Sequence, residues 1–223
     1  MNGVGRLELT GVKSQPLDGG QRRVILSTSN GEMEGMYHLA EVATGAVIWV
    51  CGALGGFDGP SFGIFSVLSH ELVSEGISSL RLNYRFPGDF DECVLDMLVA
   101  VDFFQQEGAG SVVLGGHSFG GAVAIMAGTM SARVKAVVGL SSQTFGAHRV
   151  SELSPRPLLL IHGSRDRNLP ALCSEQIYEW AREPKELVIY KGSGHFLREC
   201  GDELHDLLKG WLVDKLGQDK AAS

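Results

Sequence analysis

The sequence predicts one α/β domain: a mostly parallel sheet of about eight strands, helices on both faces and no cap domain. Three observations carry this expectation. Short apolar runs alternate with helix-period segments from about residue 46 onward, the pattern of repeated β-α units. A hairpin signal precedes them. The length of 223 residues, with 44% apolar residues, suits a single domain that buries its own core without disulfides or metals.

The first twenty residues end in Asp18-Gly19-Gly20 and read as an irregular lead-in. Val24–Leu26 and Met33–Leu39 then read as strands joined by the turn Asn30-Gly31, since this dipeptide suits a tight hairpin. Ala46–Val50 is a continuous apolar run, as expected of a strand buried on both faces. Next come helix Ser61–Ser74, strand Leu80–Leu82 and helix Phe90–Gln106, in which Val94, Met97, Leu98 and Val101 share one face. Strand Ser111–Leu114, helix Phe119–Met130, strand Val134–Leu140 and strand Pro157–Ile161 follow. Helix Leu172–Ala181, strand Leu187–Tyr190 and helix Phe196–Leu216 complete a domain spanning 21–217, with 218–223 as a tail.

Composition narrows the partners. A net charge of −7 with no basic run argues against a nucleic-acid surface. No apolar stretch approaches the roughly 20 residues of a membrane span. Met1–Thr10 lacks a basic segment followed by an apolar one, so a cytoplasmic protein without a membrane partner is expected. Cys51, Cys93, Cys173 and Cys200 are widely spaced and form no metal-binding pair, which fits reduced thiols. No metal ligand cluster or phosphate loop appears, so no metal or other cofactor is implied. A monomer or homodimer is expected.

In parallel sheets, functional residues gather in loops after the carboxyl ends of strands. Gly116-His117-Ser118-Phe119-Gly120 follows one strand and opens a helix. Such a G-x-S-x-G turn exposes the serine hydroxyl at the sheet edge and aims the next N–H at a developing oxyanion. In a chain with 30 glycines the motif alone is weak; the strand before it and the helix after it give it weight. After the next apolar strand but one, Asp166 is the carboxylate in His162–Pro170. It suits the acceptor that fixes a histidine tautomer. His195 lies in Lys191–Phe196, after the last strand, and suits the general base. A second oxyanion donor is expected in Cys51–Phe57, with the N–H of Ala53 as first choice and Leu54 as second; Phe119 supplies the other. Leu54, Phe57, Arg85 and Phe145 stand in loops that could line a substrate pocket.

The order Ser118, Asp166, His195 and the segments 116–121, 162–170 and 192–196 resemble the α/β-hydrolase superfamily, especially its small dienelactone-hydrolase-like and carboxylesterase-like members. The resemblance runs from about Arg22 to Leu216. It implies the α/β-hydrolase fold, a Ser118–His195–Asp166 triad and an oxyanion hole of Phe119 and Ala53. Many relatives carry His-Gly where this chain has Cys51-Gly52. Dienelactone hydrolases use a cysteine nucleophile, so general ester hydrolysis is the better expectation.

The expected activity is that of a serine hydrolase cleaving carboxylic esters through an acyl-enzyme. The alternatives are a thioesterase or peptidase using the same triad, a catalytically slow receptor-like module, or an interaction subunit. Between Val134–Leu140 and Pro157–Ile161 lie only Ser141 to Arg156, too few residues for a cap domain. An open cleft and small or water-soluble esters are therefore expected.

Overall fold

A computed structural model describes residues 7–43 and 45–217. It has nine strands: β1 Leu9–Pro16, β2 Gln21–Thr28, β3 Gly31–His38, β4 Gly45–Val50, β5 Ile77–Leu82, β6 Val112–His117, β7 Val134–Leu140, β8 Leu158–Gly163 and β9 Lys185–Tyr190. Five α-helices accompany them: α1 Ile64–Glu71, α2 Phe90–Gln106, α3 Phe119–Met130, α4 Leu172–Trp180 and α5 Gly201–Gly217. The strand order is β1-β2-β3-β5-β4-β6-β7-β8-β9. β1, β2, β3 and β5 pair antiparallel, and every pair from β5–β4 onward is parallel.

The central strands β4 to β8 carry apolar side chains on both faces because helices cover both faces. One core layer joins Ile48, Leu114 and Leu160 to Met97, Phe104, Val123 and Ile177 of α2, α3 and α4. The opposite layer joins Val47, Trp49 and Ile161 to Phe65 and Leu68 of α1 and to Leu204, Leu208 and Leu212 of α5. Trp49 stacks on Phe65 with ring centroids 4.5 Å apart, at the centre of that second layer. Among the described residues, no helix is long and apolar enough to cross a membrane.

The hairpin turn lies where the Asn30-Gly31 signal puts it, with Thr28 paired to Gly31 and Gly31 at φ 98°. Residues 9–16, by contrast, are not an irregular lead-in but strand β1, paired antiparallel along β2. Asp18-Gly19-Gly20 is the turn of this first hairpin, with both glycines at positive φ. β1 escapes the apolar-periodicity signal because it is an edge strand with mostly exposed side chains, including Lys13 and Pro16. Residues 1–6 and the expected tail 218–223 lie outside the described residues.

Two helices start later than their periodicity suggests. Ser61 and Phe62 take positive φ (49° and 58°), which delays α1 to Ile64. Leu197 does the same at φ 53°, followed by a 3₁₀ turn Arg198–Cys200 before α5. Between β7 and β8 the chain forms only loops and one 3₁₀ turn, Val150–Leu153, so no separate cap domain covers the carboxyl edge of the sheet.

Candidate active site

β6 ends at His117 and α3 begins at Phe119, leaving Ser118 alone to make the turn at φ 60°, ψ −120°. A non-glycine residue there costs on the order of 1–3 kcal/mol, held only because its surroundings over-determine it. Those surroundings are small. A Cβ at Gly116 would stand 2.0 Å from the Gly120 carbonyl oxygen, and one at Gly120 would stand 2.3 Å from that of Cys51. The Ser118 N–H donates to the Leu140 carbonyl (2.8 Å), tying the elbow to β7. The amino end of α3, with its positive dipole, therefore sits beside the serine.

The loop after β4 forms the facing wall. Gly55 N–H closes a turn on the Gly52 carbonyl (2.9 Å), and Gly56 N–H donates to Asn83 Oδ1 (2.9 Å). Asp58 is held by the buried Arg81 guanidinium at 3.0 Å. Among the described residues, no acceptor takes the N–H of Ala53 or Phe119. The cleft between this loop and the elbow has a volume of about 460 Å³, and Ala53, Leu54, Phe57, Ser118, His195 and Phe196 help to line it.

Asp166 and His195 arrive on the loops after β8 and β9. His195 Nδ1 donates to Asp166 Oδ2 at 2.6 Å, with the Asp166 side chain fully buried. Asp166 Oδ1 accepts the N–H groups of Asn168 (2.8 Å) and Leu169 (2.9 Å). Burial pushes the Asp166 carboxyl upward, but the Leu169 N–H, the His195 side chain and the Asn168 N–H together hold it below the usual carboxylate range. The two loops are laced together. Arg165 N–H donates to the Ser193 carbonyl (2.8 Å), Ser164 N–H to the Tyr190 carbonyl (3.0 Å) and Gly192 N–H to Ser164 Oγ (2.9 Å). A Cβ on Gly163 would strike the Ser193 carbonyl oxygen at 2.3 Å.

Ser118 and His195 line the same cleft, while no hydrogen bond among the described residues joins Ser118 Oγ to the His195 ring. Such a bond is often loose in an unliganded enzyme and tightens with substrate.

Two histidines that the sequence reading did not single out complete the surroundings. His117 Nε2 donates to the His195 carbonyl at 3.0 Å, and the two rings lie 4.8 Å apart. Burial pushes His117 down to about 4, so at neutral pH it is an uncharged ring beside His195. His162, fully buried on β8, contacts Asp166 Oδ2 (3.0 Å) and Ser174 Oγ (2.7 Å). The available signal for His162 was an imidazole directly continuing the apolar run Leu158–Ile161, where both ring nitrogens must find partners.

Of the four residues expected to line a pocket, Leu54 and Phe57 do so. Arg85 does not. Its side chain is only 2% exposed, locked by Asp96, by Glu92 at 2.6 Å and by the Asn30 carbonyl at 2.7 Å. Phe145 stands outside the cleft, exposed and edge-on to Phe90 at 5.7 Å. Phe90 in turn packs edge-on against Phe119 (5.8 Å), so that aromatic row supports the elbow from behind.

With this geometry in view, known proteins are informative. The family model described as phospholipase/carboxylesterase matches residues 93–210, just over half of the chain. The uncharacterized protein YfhR of Escherichia coli is 36% identical over 69 residues, 31% of this chain and 24% of that protein. The matched segment thus spans about a quarter of that relative's length. Among solved structures, the dienelactone hydrolase of Anabaena variabilis aligns with a TM-score of 0.75 at 20% identity, over 91% of this chain and 99% of that one. An α/β serine hydrolase without a lid from Xanthomonas campestris aligns at 0.73 with 19% identity, over 91% and 98% of the two chains. At these identities the structural matches show the fold, and they agree with the uncapped sheet edge. The fold is that of the α/β hydrolases, and the chain belongs to the phospholipase/carboxylesterase family of that superfamily.

Proposed function

We propose that this protein hydrolyses carboxylic esters of small or water-soluble substrates through an acyl-enzyme on Ser118. The observation that carries the reading is the buried 2.6 Å Asp166–His195 hydrogen bond beside a strained serine turn, both opening on one cleft. Ser118 Oγ attacks the ester carbonyl while His195 Nε2 takes its proton. Asp166 holds the opposite ring nitrogen as N–H and stabilises the imidazolium. The N–H groups of Phe119 and Ala53 receive the oxyanion. The proton on His195 then passes to the departing alkoxide, and water attacks the acyl-enzyme by the same route in reverse. Cys51 also lines the cleft, but burial pushes its thiol up to about 11, leaving it a neutral thiol at physiological pH.

Substrate size follows from the cleft: about 460 Å³, with no cap domain above it to enclose a long acyl chain. The test is labelling with a fluorophosphonate probe, wild type beside Ser118→Ala, followed by turnover of p-nitrophenyl esters of increasing chain length. Wild type should label, Ser118→Ala should not, and short-chain esters should be cleaved faster. An unlabelled wild type, or equal labelling of the variant, refutes the mechanism. Preference for long chains, or for thioester or aminoacyl substrates, refutes the substrate class.

A further inference from the structure

Asp166 has more partners than a catalytic acid needs, and one of them, His162, has no part in the steps above. His162 follows the alternation of β8 and points with Leu158 and Leu160 toward the α2–α3–α4 layer. There its side chain is fully buried. An imidazole in that place is costly unless both nitrogens are bonded. Nε2 faces two acceptors, Asp166 Oδ2 and the Leu169 carbonyl oxygen, each at 3.0 Å, so Nε2 carries the proton. In the neutral ring Nδ1 is then an acceptor. Ser174 Oγ, equally buried on α4, stands 2.7 Å away and donates to it. The serine thus selects the tautomer that points an N–H at Asp166.

The consequence falls on one oxygen. A carboxylate offers about four lone-pair sites. Oδ1 accepts two backbone N–H groups, and Oδ2 accepts both His195 Nδ1–H and His162 Nε2–H. All four sites are filled by donors in fixed positions, so the carboxylate cannot rotate without breaking bonds on both sides.

We propose that His162, locked by Ser174, is a positioning residue for the acid–base pair. It fixes which oxygen of Asp166 meets His195, and it shares the negative charge of that oxygen. The proposal rests on the triad reading above. No proton leaves His162 in this role: it anchors Asp166 while the transferred proton moves between Ser118, His195 and the leaving group. Removing its N–H leaves His195 as the sole side-chain donor to Oδ2. That strengthens the pull of the carboxylate on the imidazolium and loosens the carboxylate's orientation.

The test compares His162→Leu, His162→Asn, His162→Gln and Ser174→Ala. Leu removes both ring contacts. Asn keeps a polar group near the Nδ1 position but offers no donor to Asp166, whereas Gln reaches the Nε2 position with an amide N–H. We expect Leu and Asn to lower kcat by about ten- to a hundredfold, the scale of a hydrogen bond to a charged group, with KM little changed. The acid limb of the pH–rate profile should move upward by about half a unit to one unit. Gln should restore kcat and the profile, and Ser174→Ala should shift both in the direction of Leu but less. The low-field proton resonance of His195 Nδ1–H should move in the Leu and Asn variants and return in Gln.

If His162→Leu does not fold, Ser174→Ala and His162→Asn carry the same readouts. Wild-type kcat and pH profile in the Asn and Ser174→Ala variants overturn the proposal, as does a folded Gln variant as impaired as Leu. Failure of the triad reading has a different signature. Probe labelling is then independent of Ser118, or Asp166→Asn keeps full turnover, whatever the His162 variants do.

Discussion

Replacing Arg85 by alanine separates a structural role from a substrate-binding one for a residue whose loop was expected to help line the pocket. Its guanidinium is enclosed, bonded to Asp96, Glu92 and the Asn30 carbonyl. Asp96 is the more demanding partner because its side chain has no exposure at all. Burial already pushes the Asp96 carboxyl upward, and Arg85 is what opposes that push, through its side chain and through its backbone N–H at 2.8 Å. In Arg85→Ala only the backbone bond remains, and a buried charge stripped of its partner costs about 3–5 kcal/mol. In a protein of this length each kcal/mol moves Tm by about 2–4 °C, so a fall of roughly 6–20 °C is expected. Thermal unfolding measures it, alongside kcat/KM for a neutral and a carboxylate-bearing ester at a temperature where the variant stays folded. The two esters should be affected alike. The paired change Arg85→Met with Asp96→Leu should recover part of the stability, since it leaves no buried unpaired charge and only the residue-85 backbone N–H without its acceptor. A stability loss under about 1 kcal/mol, with selective loss on the carboxylate-bearing ester, would refute this reasoning and return Arg85 to the substrate.

Other outcomes follow from the same structure. Asp166→Asn should slow turnover by about 10³–10⁴-fold, because an amide can present oxygen to only one of its two donor pairs. Steady-state kinetics check this, and turnover within threefold of wild type moves the acid role to another residue. Acid should destabilise the fold well before the carboxylates protonate. His38 and His117 are each held down to about 4, burial being the main cause, against about 6.5 in the unfolded chain. Groups with depressed folded values contribute stability that is complete above 6.5 and lost as pH falls toward 4, about 3 kcal/mol for each histidine. Urea unfolding between pH 7 and 4.5 reads this directly; a flat profile across that window counts against two buried neutral imidazoles.

The parallel half of the fold is legible because strands buried on both faces must be apolar throughout, as Ala46–Val50 and Leu158–Ile161 are. Strand β1 is illegible for the opposite reason: an edge strand with exposed faces has no obligation to alternate. The late starts of α1 and α5 turn on positive φ at Ser61, Phe62 and Leu197, where no glycine announces the conformation. Within the candidate site, Ser118, Asp166 and His195 can be singled out because each follows a strand end, a property of the chain alone. The burial of Arg85 depends instead on Asp96, and there a signal was present. Asp96 lies among Cys93, Val94 and Met97 on the apolar face of α2, and an acid on such a face requires a cation.

The lacing of the loops after β8 and β9 has a meaning for how this site can change. Asp166 and His195 are assembled by bonds that run between their own two loops, while Ser118 is held by the elbow's glycines and by β7. The hydrogen bond from His117 to the His195 carbonyl is a link from the serine's strand to that assembly. On the proposed mechanism the nucleophile is therefore an exchangeable part, mounted on a separate bracket from the Asp166–His195 pair. A change of attacking atom, such as Ser118→Cys, replaces one oxygen with sulfur and leaves every bond within the pair intact. If that mechanism holds, chemistry can diversify on this scaffold one position at a time, with the hydrogen-bonded Asp166–His195 pair kept whole.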